Sequence, residues 1–134
     1  MIQGQFDKEK LINHWIAGSD DDFETMIAMF ETKRYSWSLF VGHLVIEKLL
    51  KAYLVKVHNT YPPFIHNLLL LARNSNLELN SDIMIQLTTI TAFNINTRYE
   101  DYKNSFQKKC TAEFTLEWIN KIMELRLWIK EQMK

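Results

Sequence analysis

An all-α chain, folded as an antiparallel bundle of about five helices over residues 1–134, is what this sequence predicts. Three observations carry that prediction. Apolar residues recur at the three- and four-residue spacing of a helix face through most of the chain. Only 3 Gly and 2 Pro occur in 134 residues, too few for the tight turns of a β-sandwich or barrel. The breaks between periodic stretches are short, as the connections of an antiparallel bundle are.

The first helix begins at Asp7, a candidate N-cap, and carries Ile12, Ile16, Phe23, Met26, Ile27 and Phe30. These stay in phase across Gly18-Ser19-Asp20-Asp21-Asp22, which favours one long helix with a kink at Gly18. The alternative is two helices, with Ser19 and Asp22 as the capping box of the second. Lys33-Arg34 suit the helix C-terminus, where cations meet the negative end of the dipole. From about Ser36 to His58 apolar residues occupy nearly every side, as in a helix at the centre of a bundle or shared with a second subunit. That pattern points to a homodimer. Pro62-Pro63 ends the segment. A short leucine-rich helix opens at His66-Asn67-Leu68 and ends near Asn74-Ser75-Asn76. Another begins after Asn80-Ser81-Asp82 with the stripe Ile83, Leu87 and Ile90. Residues 94–109, polar and aromatic without a clean period, read as a long ordered loop. The last helix starts near Thr111 and carries Phe114, Trp118, Ile122, Leu125 and Ile129.

Composition excludes several functions. Sixteen basic and 16 acidic residues balance, which removes the overall basic bias of a dedicated nucleic-acid binder but not a local patch. The one cysteine, Cys110, forbids an intramolecular disulfide framework or a thiolate-rich metal site. Charges within residues 1–10 stand where a signal peptide would be apolar, and no apolar run approaches a membrane span. A cytoplasmic protein is expected, with no membrane partner and no cofactor.

Four features then stand in order along the chain. Trp15-Ile16-Ala17 is followed by Asp22 in the opening helix. Tyr35-x-Trp37-x4-Gly42-His43-x3-Glu47-Lys48-x2-Lys51-Ala52 fills the second. A proline-bearing loop leads into His66-Asn67-Leu68, and Arg98-Tyr99 precedes the last helix. In this order the chain resembles the HEPN family, whose members carry an E-K-x-x-K-A helix, a T-H-x-L element and an R-Y motif. The resemblance implies a bundle of about five helices, commonly dimeric. It also implies one of three roles: a ribonuclease using Arg-x4-6-His, a toxin restrained by a nucleotidyltransferase-family partner, or a noncatalytic module binding nucleotides or making contacts.

The catalytic pattern is missing here. After Arg98 the fifth, sixth and seventh positions are Lys103, Asn104 and Ser105, and no other arginine has a histidine close behind it. Metal-independent RNA cleavage needs a group that exchanges protons near neutral pH, which histidine does unaided. The leading reading is therefore a noncatalytic binding module whose ligand-facing groups are Glu47, Lys51, Arg98, Tyr99 and His66. Its ligand would be a nucleotide, an RNA segment or a protein partner. The alternative is a divergent ribonuclease in which Arg98 stabilises the reacting phosphate and Lys103 or His66 handles protons.

Individual residues carry further expectations. Glu47 and Lys51, at i and i+4 with the acid first, should pair with each other or with Arg98, since charges amid so apolar a helix need partners. Arg98 paired to Glu47 would pin the long loop to the bundle. His43 and Glu47 share metal-ligand spacing, but two ligands are no site, and metal binding is not expected. His43 reads as an interface residue, and His66 as a group orienting its helix start through backbone contacts. Asp20-Asp21-Asp22-Glu24 reads as a solvated face, and Cys110 as an ordinary cap-region cysteine.

Overall fold

The computed structural model describes residues 6–134; residues 1–5, part of the charged N-terminal stretch, lie outside them. Six helices follow one another among the described residues: α1 (Lys8–Glu31), α2 (Tyr35–His58), α3 (Leu68–Asn74), α4 (Ser81–Arg98), α5 (Glu100–Lys109) and α6 (Ala112–Gln132). The helix beyond the expected five is α5, in the stretch of residues 94–109 read as a loop. Residues 94–98 continue α4, and α5 begins after Tyr99. Only Phe106 of α5 is buried, so this helix carries no apolar stripe for periodicity to detect. Its ends are nonetheless built for a helix, with Glu100 and Asp101 in the first turn and Lys108 and Lys109 in the last.

The opening helix is single, as its phase predicted, and the Asp7 carboxylate accepts from the Lys10 amide. Ser19 caps nothing: its buried hydroxyl donates to the Val45 carbonyl at 2.7 Å. Ser38 does the reverse, donating to the Met26 carbonyl at 2.8 Å, so two serines stitch α1 to α2. Lys33-Arg34 lie beyond the helix rather than in its last turn. Lys33 has φ 64°, its amide bonds the Phe30 carbonyl, and the Arg34 amide reaches back to Met29. This paired closure with a left-handed residue is a Schellman ending, and it turns the chain straight into an antiparallel α2.

Helix α2 is the axis. Every other helix packs on it, and Leu39, Val45, Ile46, Leu49, Leu50 and Val55 are fully buried. Around them lie Met26 of α1, Leu68 and Leu71 of α3, Leu87 and Ile90 of α4, and Ile122 and Ile129 of α6. The all-round apolarity of α2 is thus satisfied within one chain. Gly42 lets α6 and α1 approach: a Cβ there would meet Ile122 Cδ1 at 2.5 Å and Met26 Sδ at 3.1 Å. Asp21 and Glu24 of the 20–24 cluster are exposed, as read, while two of its acids also pair with other helices. Asp20 accepts from Arg126 at 3.1 Å and Lys130 at 2.8 Å on α6, and Asp22 pairs with Lys48 at 2.7 Å. Burial works to raise the Asp20 carboxyl, but the hydrogen bonds from Lys130 and Arg126 hold it below the usual carboxylate range. Among the described residues no helix is long and apolar enough to cross a membrane.

Candidate functional site

Helix α2 presents His43, Glu47 and Lys51 at successive i, i+4 positions, so all three stand on one face toward the loop before α3 and the end of α4. Charge and imidazole on such an apolar helix must find partners or remain costly. They find each other. Lys51 Nζ donates to Glu47 Oε2 at 3.1 Å, with both side chains only 6% exposed. The Lys51 ammonium also lies 5.3 Å from the centre of the Trp15 ring. The Trp15 and Asp22 feature of α1 is thereby explained: Trp15 lies over Lys51 and Asp22 pairs with Lys48 of α2.

The other Glu47 oxygen, Oε1, is 2.9 Å from His66 Nδ1. His66 does not cap its helix. That cap belongs to Asn67, whose side chain accepts from the Leu70 amide. The His66 carbonyl instead receives His43 Nε2 at 2.8 Å. His43 is fully buried inside the chain rather than at an outer interface, and its Nδ1 lies 3.4 Å from Asn94 Nδ2. Asn94 Oδ1 in turn accepts from Arg98, from Nε at 3.0 Å and from Nη2.

These bonds fix one direction of donation. The Arg98 guanidinium can only donate, so it sets Oδ1 of Asn94 toward itself and the amide toward His43. His43 Nδ1 then accepts, Nε2 carries the proton, and the ring is neutral. His66 Nδ1 donates to Glu47, which also accepts from Lys51. Burial pushes the His43 imidazole below its ordinary value, more strongly than the His66 carbonyl and the Glu47 charge raise it.

Two ends of this chain reach solvent. The His66 side chain is 69% exposed, with Nδ1 held and Nε2 unengaged among the described residues. Arg98 is exposed and its guanidinium carbon lies 5.7 Å from the Phe40 ring centre and 5.6 Å from that of Tyr99. Tyr99 is itself 55% exposed. An oriented arginine beside an open aromatic face can hold a phosphate and stack a base.

All five ligand-facing residues read from the sequence, Glu47, Lys51, Arg98, Tyr99 and His66, therefore belong to one neighbourhood. The Arg98–Glu47 pair is corrected: Asn94 takes the arginine, and Lys51 and His66 take the carboxylate. Lys103, on α5, meets this neighbourhood only through its amide, which donates to the Tyr99 carbonyl at 2.9 Å. Two members went unread, Asn94 and the buried role of His43. Asn94 had a visible signal, since it stands one helical turn before Arg98. No group of three metal-ligating residues forms among the described residues.

Helices wrapped on a central polar-faced helix, with a histidine loop and an arginine–tyrosine pair meeting at its side, define a small helical-bundle domain with one composite polar site. The HEPN domain family model matches residues 12–132, nearly the whole chain, and the chain belongs to the HEPN family. Comparison with curated proteins and with solved structures gives no match.

Proposed function

We propose that this HEPN domain is a noncatalytic binding module for a phosphate-bearing ligand, a nucleotide or single-stranded RNA, taken at the Arg98–Tyr99 surface. The observation that carries this reading is the chain of bonds from Arg98 through Asn94 and His43 to His66. It spends no ion pair on Arg98, so the cation is oriented yet electrostatically free among the described residues. Three buried or half-buried acids are matched inside the protein, Asp20 with Arg126 and Lys130, Asp22 with Lys48 and Glu47 with Lys51, and none of them pairs with Arg98. Glu100 and Asp101 follow Tyr99 directly, which fits a ligand held at one or two phosphates better than a duplex gripped along its length. A nucleotidyltransferase-family protein is the protein partner proposed for this module.

One observation favours a second reading, the divergent ribonuclease. His66 Nδ1 on a buried carboxylate, with Nε2 facing solvent, is the arrangement of an oriented general base. It does what the missing histidine near Arg98 would do, and displaces Lys103 from that role. In this reaction His66 Nε2 would take the proton of a ribose 2′-hydroxyl as that oxygen bonds the phosphorus. The 5′-oxygen would leave carrying a proton from water, with Arg98 holding the phosphate charge.

Labelled single-stranded RNA incubated with the protein in chelator separates the two. Retention without cleavage, lost in Arg98→Ala, is expected of the binding module. Cleavage abolished by His66→Ala would replace it with the enzyme, and RNA neither held nor cut would remove both.

A further inference from the structure

The hydrogen bonds behind Arg98 pass through a group that titrates, His43. Arg98 Nε donates to Asn94 Oδ1 at 3.0 Å and to the Asn94 carbonyl at 3.1 Å, and Nη2 donates to the same Oδ1. That grip needs the carboxamide oxygen turned toward the arginine, which leaves Nδ2 on the other side, 3.4 Å from His43 Nδ1. A donor placed there needs an acceptor. His43 Nδ1 accepts only while the imidazole is neutral, because Nε2 already carries the proton given to the His66 carbonyl at 2.8 Å. His43 and Asn94 are 0% and 7% exposed, so a carboxamide left without its partner is costly.

A proton on Nδ1 removes that acceptor and sets one donor against another. The carboxamide is then satisfied by turning over, so that Oδ1 accepts from His43. The turn puts Nδ2 against the Arg98 guanidinium, which has only donors to offer. We infer that His43 and Asn94 are positioning residues for Arg98, and that a proton on His43 releases the arginine from the orientation in which it meets a phosphate. The inference rests on the reading of Arg98 as a phosphate-binding cation and supplies the regulation of that same site.

The charges around His43 decide when that proton arrives. On its own helix Glu47 Oε1 stands 3.7 Å from Nδ1 and favours it, while Lys51 holds the other oxygen of the carboxylate. From the loop before α3 the His66 ring opposes it, and from α4 so does Arg98. Helices α1 and α6 approach the adjoining Gly42 with Met26 and Ile122, which carry no charge. Burial is the strongest influence and holds the ring below its ordinary value, so Arg98 is held at neutral pH and released on acidification.

The test is an NMR titration of the full chain with pH, following the His43 ring, the Asn94 side-chain amide and the Arg98 Nε–H. All three should move together with one midpoint. In Asn94→Asp the carboxylate pairs with Arg98 and accepts from a protonated His43. The His43 midpoint should therefore rise, Arg98 should stay held throughout, and single-stranded RNA should bind several-fold more weakly because the cation is neutralised in place. His43→Gln offers a donor and an acceptor at every pH, so its Arg98 signal should not follow acidification. The affinity of the wild type relative to this variant, for a short single-stranded RNA without terminal phosphates, should fall several-fold on the acid side of the His43 midpoint. If His43→Gln does not fold, the wild-type titration and Asn94→Asp decide alone. Arg98 and Asn94 signals that stay fixed while the His43 ring titrates would overturn the inference, as would a ring that stays neutral until the chain unfolds. RNA bound with a constant ratio between wild type and variant would overturn the regulation and leave the Arg98 reading standing. Three signals moving together with no RNA bound would support the positioning device and remove the Arg98 reading.

Discussion

Glu47 shows how much one side chain can decide. Its carboxylate accepts from Lys51 and His66 while almost fully buried, and it stands 3.7 Å from His43 Nδ1. Removing its charge strands the Lys51 ammonium among apolar neighbours. Glu47→Gln should therefore cost about 3 kcal/mol or more in denaturant unfolding, the range for breaking one side of a buried pair. An unchanged midpoint would mean that Lys51 escapes to water. His43 makes a pH prediction with a definite sign. Burial depresses its folded pKa below the ordinary 6.5, so between those values the unfolded chain binds a proton that the folded one refuses. The stability it contributes is present above pH 6.5 and falls as pH drops below it. An NMR titration of the His43 ring should give a midpoint under 6.5; a midpoint above it would contradict the neutral ring on which the bond directions rest. The buried polar residues were legible as a set, because charges on so apolar a helix need partners. The Glu47–Lys51 pair was legible from its spacing; the His66 partner was not, since it arrives on a loop 19 residues away and no spacing rule places it.

At the scale of elements, periodicity read what packing made periodic. The single α1 was visible because its apolar positions kept phase across five polar residues, and Asn80 and Thr111 cap α4 and α6 where the caps were read or near it. Helix α5 was invisible for the converse reason: it buries one phenylalanine against Phe93 and leaves the rest to water. Gly42 was visible in the α2 motif but its purpose was not, because the close approach of Ile122 comes from the far end of the chain. Alanine there gains about 1 kcal/mol of helix propensity but overpacks a filled core, which costs about 1–3 kcal/mol. Gly42→Ala should thus lower the Tm by a few degrees in calorimetry. A rise would show that Ile122 and Met26 can move aside at no cost.

For the whole molecule, wrapping α2 on all sides answers from within one chain the pattern that suggested a homodimer. Exposed apolar residues remain on several elements, among them Leu116, Met123 and Leu127 of α6 and Ile85 and Ile95 of α4. The homodimer proposal therefore predicts twice the 16.0 kDa chain mass in sedimentation equilibrium at micromolar concentration, and a monomer mass would remove it. The larger consequence is electrostatic. Arg98 enters no ion pair among the described residues and keeps its charge at the surface beside Tyr99, held by Asn94.

That claim is tested most directly by the salt dependence of single-stranded RNA binding, measured by fluorescence anisotropy for the wild type and Arg98→Ala. Each phosphate neutralised by a cation contributes nearly one unit to the slope of log affinity against log salt. The account predicts weaker binding and a slope smaller by about one in Arg98→Ala. Equal slopes and equal affinities would contradict it, and would return Arg98 to the role of a helix-end residue bound to Asn94.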